Sequence, residues 1–216
     1  MTPATVTEDL AAHRVAEIHT MRIRTRWPRL LGRNALFEEH GYGREAIVRH
    51  IVTDRGAAGW GLSRHPGPGQ FEISGLVDRR LSELFDPAVG VTEEEAMPLD
   101  FALHDLAGNI LGVPVFRMIG TAGPTTQEVC GSATYFDDIT PAYHPGGVGV
   151  VLENCRQDWQ MGYRAFKIKI GRGHRWMGPE AGMARDVKVT RAIREEFPEA
   201  MLQVDANDGY DCRSFC

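Results

Sequence analysis

Two lysines alternate with three large apolar residues in Phe166-Lys167-Ile168-Lys169-Ile170. That run reads as a strand, in which alternate side chains point to opposite faces. Phe166, Ile168 and Ile170 share one face, which needs an apolar layer against it. Lys167 and Lys169 share the other. Two ammonium groups on an enclosed sheet face are costly to desolvate unless carboxylates, an anion or water receive them. A carboxylate follows: Met201-Leu202-Gln203-Val204 reads as a second strand, with Asp205 at its C-terminal end. Between them, 180–197 carries a helical pattern. Strand, helix, strand with charge at the strand ends is how α/β folds hold their chemistry.

Upstream the pattern is different. Residues 13–25 read as a strand, followed by a loop over 27–43 rich in Gly, Arg and aromatic residues. A second strand over 46–53, the turn Asp54-Arg55-Gly56 and a third strand over 57–62 make a hairpin. Helical patterns then take over. A helix is expected over 71–85, and Thr92 with Glu95 matches a capping box. Leu99, Ala102, Leu103, Leu106, Ala107, Ile110 and Leu111 repeat at threes and fours, and Gly112 with Pro114 ends that helix. Ala122-Gly123-Pro124 reads as a linker. Beyond it, strand (128–135), helix (146–161), strand (164–170), helix (180–197) and strand (201–204) alternate, the start of a parallel sheet. The last residues, 211–216, read as the opening of a further helix.

Net charge is −5, which argues against sequence-independent nucleic-acid binding. The basic cluster Arg22, Arg24, Arg26, Arg29 and Arg33 reads as a solvated strand face and loop, or as attraction for an anionic substrate. No apolar run is long enough for a membrane-spanning helix, and 1–10 lacks a signal core. The four cysteines show neither metal-ligand spacing nor the density of a disulfide scaffold. A cytoplasmic, reduced protein is therefore expected. Gly171-Arg172-Gly173 after a strand invites a dinucleotide-loop reading, but Trp176 stands where the third glycine is required.

The segments 166–171 and 204–210 resemble two signatures of the mandelate racemase and muconate-lactonising branch of the enolase superfamily, with Lys-x-Lys on the second barrel strand and Asp-x-Asn ending the third. The stretch 99–120 is similar to the helix that closes that family's N-terminal capping domain. The resemblance implies an α+β capping domain over 1–121, then the first β/α units of a (β/α) barrel over 122–216. A closed barrel needs eight strands and typically about 250 residues. The chain is accordingly expected to be the N-terminal part of a longer protein.

What the resemblance implies is Mg²⁺-dependent abstraction of the proton next to a carboxylate, as in a sugar-acid dehydratase or a racemase. Such enzymes use a Lys or His base with Mg²⁺. Lys169 would be the base, Lys167 would bind the substrate carboxylate, and Asp205 would be one of three carboxylate metal ligands. Asn207 would contact metal or substrate if strand geometry persists beyond Asp205. Arg29, Arg33, His40 and Tyr42, on the loop over 27–43, are candidate substrate contacts. The expected partner is a small carboxylate, with a homo-oligomer compatible. Two plainer readings stand beside these. Lys-x-Lys alone is commonly a solvated strand face, and Asp-Ala-Asn-Asp-Gly (205–209) is rich in turn formers. The alternative function is a non-catalytic truncated homologue or a partner-binding subunit. On one expected metal ligand, the polypeptide by itself is expected to be inactive.

Overall fold

The computed structural model describes residues 8–63, 73–120, 123–143 and 146–213. They form two compact units: 1–25 with 45–125, and 26–44 with 126–216. The segment 26–44 thus groups with 126–216.

β1 (Val15–Leu31), β2 (Gly41–Thr53) and β3 (Ala58–Ser63) form a sheet in that order, and its residues outside 26–44 belong to the first unit. β2 and β3 pair antiparallel, with Val52 opposite Ala58 and Ile47 opposite Ser63. The turn between them has Gly56 at φ +79°, a conformation that costs glycine nothing. β1 and β2 run further than the alternation in the sequence suggests and shorten the expected loop over 27–43 to 32–40. A short helix α1 (Leu81–Leu84), a minimal hairpin of β4 (Phe85–Asp86) and β5 (Gly90–Val91), α2 (Asp100–Leu111) and α3 (Val115–Ile119) follow.

The expected helix over 71–85 is not formed across its described part. It breaks at Asp78, whose φ is +68°. There Asp78 N–H donates to Val15 O, and Arg79 O accepts from Val15 N–H. Pairing to β1 replaces the helical ladder. Residues 71 and 72 lie outside the described residues. The capping box is also absent: Thr92 Oγ1 donates to Glu83 O, and the 3-10 turn Glu94–Leu99 has no side-chain cap. α2 behaves as its periodicity predicts, ending on Gly112 at φ +63°. It lies on β3 at two glycines. A Cβ on Gly59 would overlap the backbone of Leu106, and one on Gly61 would overlap Phe101. Leu103, Leu106 and Ala107 meet Ile51, Leu76, Leu84 and Phe85 in this unit's core.

In the second unit, β6 (Gly131–Thr134), α4 (Val148–Gln160), β7 (Ala165–Lys169), α5 (Pro179–Glu196) and β8 (Met201–Asp205) alternate. The strands are parallel in the order β6-β7-β8. Phe166 and Ile168 are fully buried with Val151 and Cys155 of α4 and Val189 and Ile193 of α5. This is the apolar layer that the alternation of β7 demands. The expected linker begins in residues outside those described, and the second half of the expected helix over 211–216 lies outside them too. Its described part, 211–213, is a turn in which Arg213 N–H donates to Asp211 Oδ1. Among the described residues no helix is long and apolar enough to cross a membrane.

Candidate functional site

Parallel pairing sets Lys167 opposite Gln203 and Lys169 opposite Asp205. Because the strands pair residue for residue, both lysines and Asp205 emerge on the face away from the α4–α5 layer. Lys169 Nζ donates to Asp205 Oδ2 at 2.6 Å, and Lys167 Nζ lies 3.2 Å from the same oxygen. Lys169 is buried, while a third of the Lys167 side chain and about a quarter of the Asp205 side chain remain exposed. Asp205 and Lys167 line a cleft of about 890 Å³ with Val204, Asn207, Asp208 and Tyr210. Burial pushes the Asp205 carboxyl up. Lys169, the Asn207 N–H and Lys167 together outweigh it and hold the group at about 2. The cluster thus offers two cations and one firmly ionised carboxylate, with net positive charge for an anionic ligand.

Asp205 is also a turn former. Its Oδ1 accepts from Asn207 N–H at 3.0 Å, and Asn207 and Asp208 sit at φ +45° and +60°. The strand ends at Asp205, so Asn207 is not brought round by strand alternation. It reaches the site through a left-handed turn instead. Its Oδ1 accepts from Asn34 Nδ2 at 3.3 Å.

The segment 26–44 is tied down by buried polar groups. Arg29 donates twice to Asp158 of α4, at 2.6 and 2.8 Å, and once to Ala133 O. This pair is sealed from solvent, so Arg29 is an anchor of the segment, where sequence reasoning offered it as a substrate contact. Gly32 N–H donates to Asp137. Arg33 donates to Ile139 O and Glu38 and stacks over Trp176 at 4.4 Å. His40 is linked to Lys169 through Tyr135. Its ring lies 4.5 Å from that of Tyr135, and Lys169 Nζ is 5.6 Å from the Tyr135 centroid. Tyr42 is 64% exposed, and no described contact joins it to Lys169 or Asp205.

Sequence reasoning passed over Asn34, Tyr135, Arg172, Asp186 and Tyr210. Asp186 did carry a signal. It stands three and seven residues before Val189 and Ile193, on the buried stripe of α5. A carboxylate among core positions needs a reason.

Among the described residues no group of three His, Cys, Asp or Glu side chains gathers around a point that could hold a metal. The donor set fits one ligand position: Asp205, a hard carboxylate with lone pairs beyond those given to Lys169, Lys167 and Asn207.

Residues 150–214 match the family model described as enolase C-terminal domain-like. A hydrophobic dipeptide epimerase of Roseobacter litoralis is 28% identical over 91% of this chain and 55% of its own length. A mandelate racemase/muconate lactonizing protein of Geobacillus, solved with magnesium and tartrate, is 29% identical. It superposes at a TM-score of 0.80 over 95% of this chain and 54% of its own. A galacturonate dehydratase of Geobacillus, solved with D-galacturonate and 5-keto-4-deoxy-D-galacturonate, is 28% identical at the same TM-score and coverage. The chain spans about half the length of these proteins. The resemblance carried by 99–120, 166–171 and 204–210 is the one the comparisons find.

Proposed function

We propose that this chain, similar over nearly its whole length to the mandelate racemase and muconate-lactonising branch of the enolase superfamily, supplies the base and one metal ligand of an enzyme that abstracts the proton α to a carboxylate. The observation that carries this reading is the pairing of Lys169 and Lys167 on one oxygen of Asp205. Three charges at the ends of adjacent parallel strands are costly to assemble and rarely arise for stability alone. Lys169, the more enclosed lysine, first gives its own proton to solvent and then, as the neutral amine, takes the α-proton on the Nζ lone pair. Lys167, nearer solvent, binds the substrate carboxylate and orients the α-carbon. Asp205 holds Mg²⁺, which when bound adds positive charge against the substrate carboxylate. His40 and Tyr135 wall the Lys169 side of the site and exclude water there.

The substrate we favour is a sugar acid, and the outcome dehydration. That preference rests on the galacturonate dehydratase likeness and on the polar 32–40 turn, which bears Asn34 and His40. The dipeptide epimerase likeness supports a second reading, epimerisation at an α-carbon bearing an acylated amine. On a donor set of one carboxylate, the 216-residue polypeptide by itself is inactive, and the active protein draws further ligands from outside the described residues. The deciding experiment follows α-proton loss by ¹H NMR in deuterated buffer with Mg²⁺. The native protein is offered uronic acids, aldonic acids and dipeptides. Exchange or loss of water from a uronic or aldonic acid supports the first reading, and exchange in dipeptides alone supports the second. Exchange in none of them removes both.

A further inference from the structure

A buried, densely hydrogen-bonded charged group adjoins Lys169 through its backbone carbonyl. Arg172 is fully enclosed. Its Nε and Nη2 donate to Asp138, its Nη1 donates to Asp186 and to Lys169 O, and its guanidinium lies 4.4 Å over the Phe136 ring. One oxygen of Asp186 then accepts from three further donors: Gly171 N–H at 2.7 Å, Arg172 N–H at 3.2 Å and Tyr210 O–H at 2.7 Å. Two of these belong to the turn that leaves β7 just beyond Lys169. The third belongs to the loop that leaves β8 beyond Asp205.

A second observation places the same two loops together. Gly171 has φ +100°, and a Cβ there would stand 3.0 Å from both Ala206 O and Gly209 Cα. The loops touch through backbone, and Asp186 bolts them from below. Burial and the Asp186 carboxylate both raise the Tyr210 phenol above its ordinary range, so the hydroxyl keeps its proton and remains a donor.

The geometry points to Asp186 as a positioning residue: with Arg172 and Tyr210 it locks the turn after β7 to the loop after β8, and so sets Lys169 Nζ against Asp205. It touches neither substrate nor metal and acts through its neighbours. The inference rests on the reading of Lys169 and Asp205 as a working pair, but its test does not need activity.

The chain has three lysines, Lys167, Lys169 and Lys188. Lys188 is exposed on α5 and serves as an internal control. Reductive methylation of the 216-residue chain, followed by mass spectrometry, gives a rate for each. In the parent chain Lys169 should be the slowest. Tyr210→Phe removes one hydroxyl and leaves the ring. It should raise the Lys169 rate relative to Lys188 roughly fivefold, the population shift that loss of one net hydrogen bond produces. Asp186→Asn should raise it further. An unchanged ratio in Tyr210→Phe overturns the proposal, as does an equal rise at Lys169 and Lys188, which would mean general loosening. Tyr210→Phe is decisive even if Asp186→Asn fails to fold. If the ratio moves as expected while Lys169→Met leaves α-proton exchange intact in the native protein, the positioning role stands and the assignment of the base falls.

Discussion

Lys169 and Asp205 are register partners on neighbouring parallel strands, and their side chains meet at 2.6 Å on the face turned away from the helices. Register brings the β-carbons together, and the ion pair follows from it. The same pairing that builds the sheet therefore builds the site. A slip of β8 by one residue would turn Asp205 onto the helix face and leave Lys169 without its partner.

Lys169→Met should lower α-proton exchange in the active protein by roughly 100- to 10,000-fold, the usual contribution of a positioned base. Metal binding, read by calorimetry, should change little. Asp205→Asn should weaken metal binding first. Lys167→Met should raise KM more than it lowers kcat, since it binds the ground state as well as the transition state. Lys169→Met exchanging at the parent rate would move the base elsewhere.

Much of this was readable because strand alternation is local. Phe166, Ile168 and Ile170 announce a buried face, and Lys167 with Lys169 announces a second one that must be answered by charge. The helix of Leu99 to Leu111 was equally plain from its period. What escaped was decided at long range. Asp78 leaves the helical pattern because Val15, far earlier in the chain, offers a strand partner. Arg29 read as a free cation because its partner, Asp158, lies 129 residues away. Asn207 was expected to face the site if strand geometry persisted, and a turn that Asp205 itself closes brings it there by another route.

Arg29→Met should cost about 3–5 kcal/mol of stability, because it leaves the Asp158 carboxylate buried and unpaired. Pairing it with Asp158→Leu should recover part of that loss, and urea unfolding of the four proteins in a double-mutant cycle would show it. Substrate affinity in the active protein should be little affected where the fold persists. Lost affinity at full stability would restore Arg29 as a substrate contact.

Gly59→Ala should destabilise the first unit by roughly 1–3 kcal/mol, the range for forced overpacking. The new methyl would fall on the backbone of Leu106, and a helix backbone cannot turn aside as a side chain can. Gly56→Ala meets no neighbour but sits at φ +79°, so its cost is conformational and should be about 1 kcal/mol. A loss in Gly59→Ala no larger than that of Gly56→Ala would show that α2 shifts without penalty.

Asp137 is fully buried beneath the 26–44 segment, accepting from Asn154 Nδ2 at 2.7 Å and Gly32 N–H at 3.2 Å. Burial pushes its carboxyl up to about 6, against the pull of Asn154, Arg29 and the Gly32 N–H. Between the unfolded value near 4 and this folded value, the folded chain holds a proton that the unfolded chain has lost. Stability from this group therefore falls as pH rises through about 4 to 6 and is level above, by roughly 2–3 kcal/mol in all. Asp205 behaves oppositely: held at about 2, it contributes above about pH 4 and loses that contribution as pH falls toward 2. The two windows barely overlap, so the difference between parent and Asp137→Asn isolates the first. The substituted amide keeps an acceptor for Asn154 and has no charge to bury. Measured by urea unfolding from about pH 4 to 8, the stability of Asp137→Asn relative to the parent should climb between about pH 4 and 6 and then stay flat. A difference that is constant across that range would mean that Asp137 ionises in the fold as readily as in the open chain, and that the segment is not sealed over it.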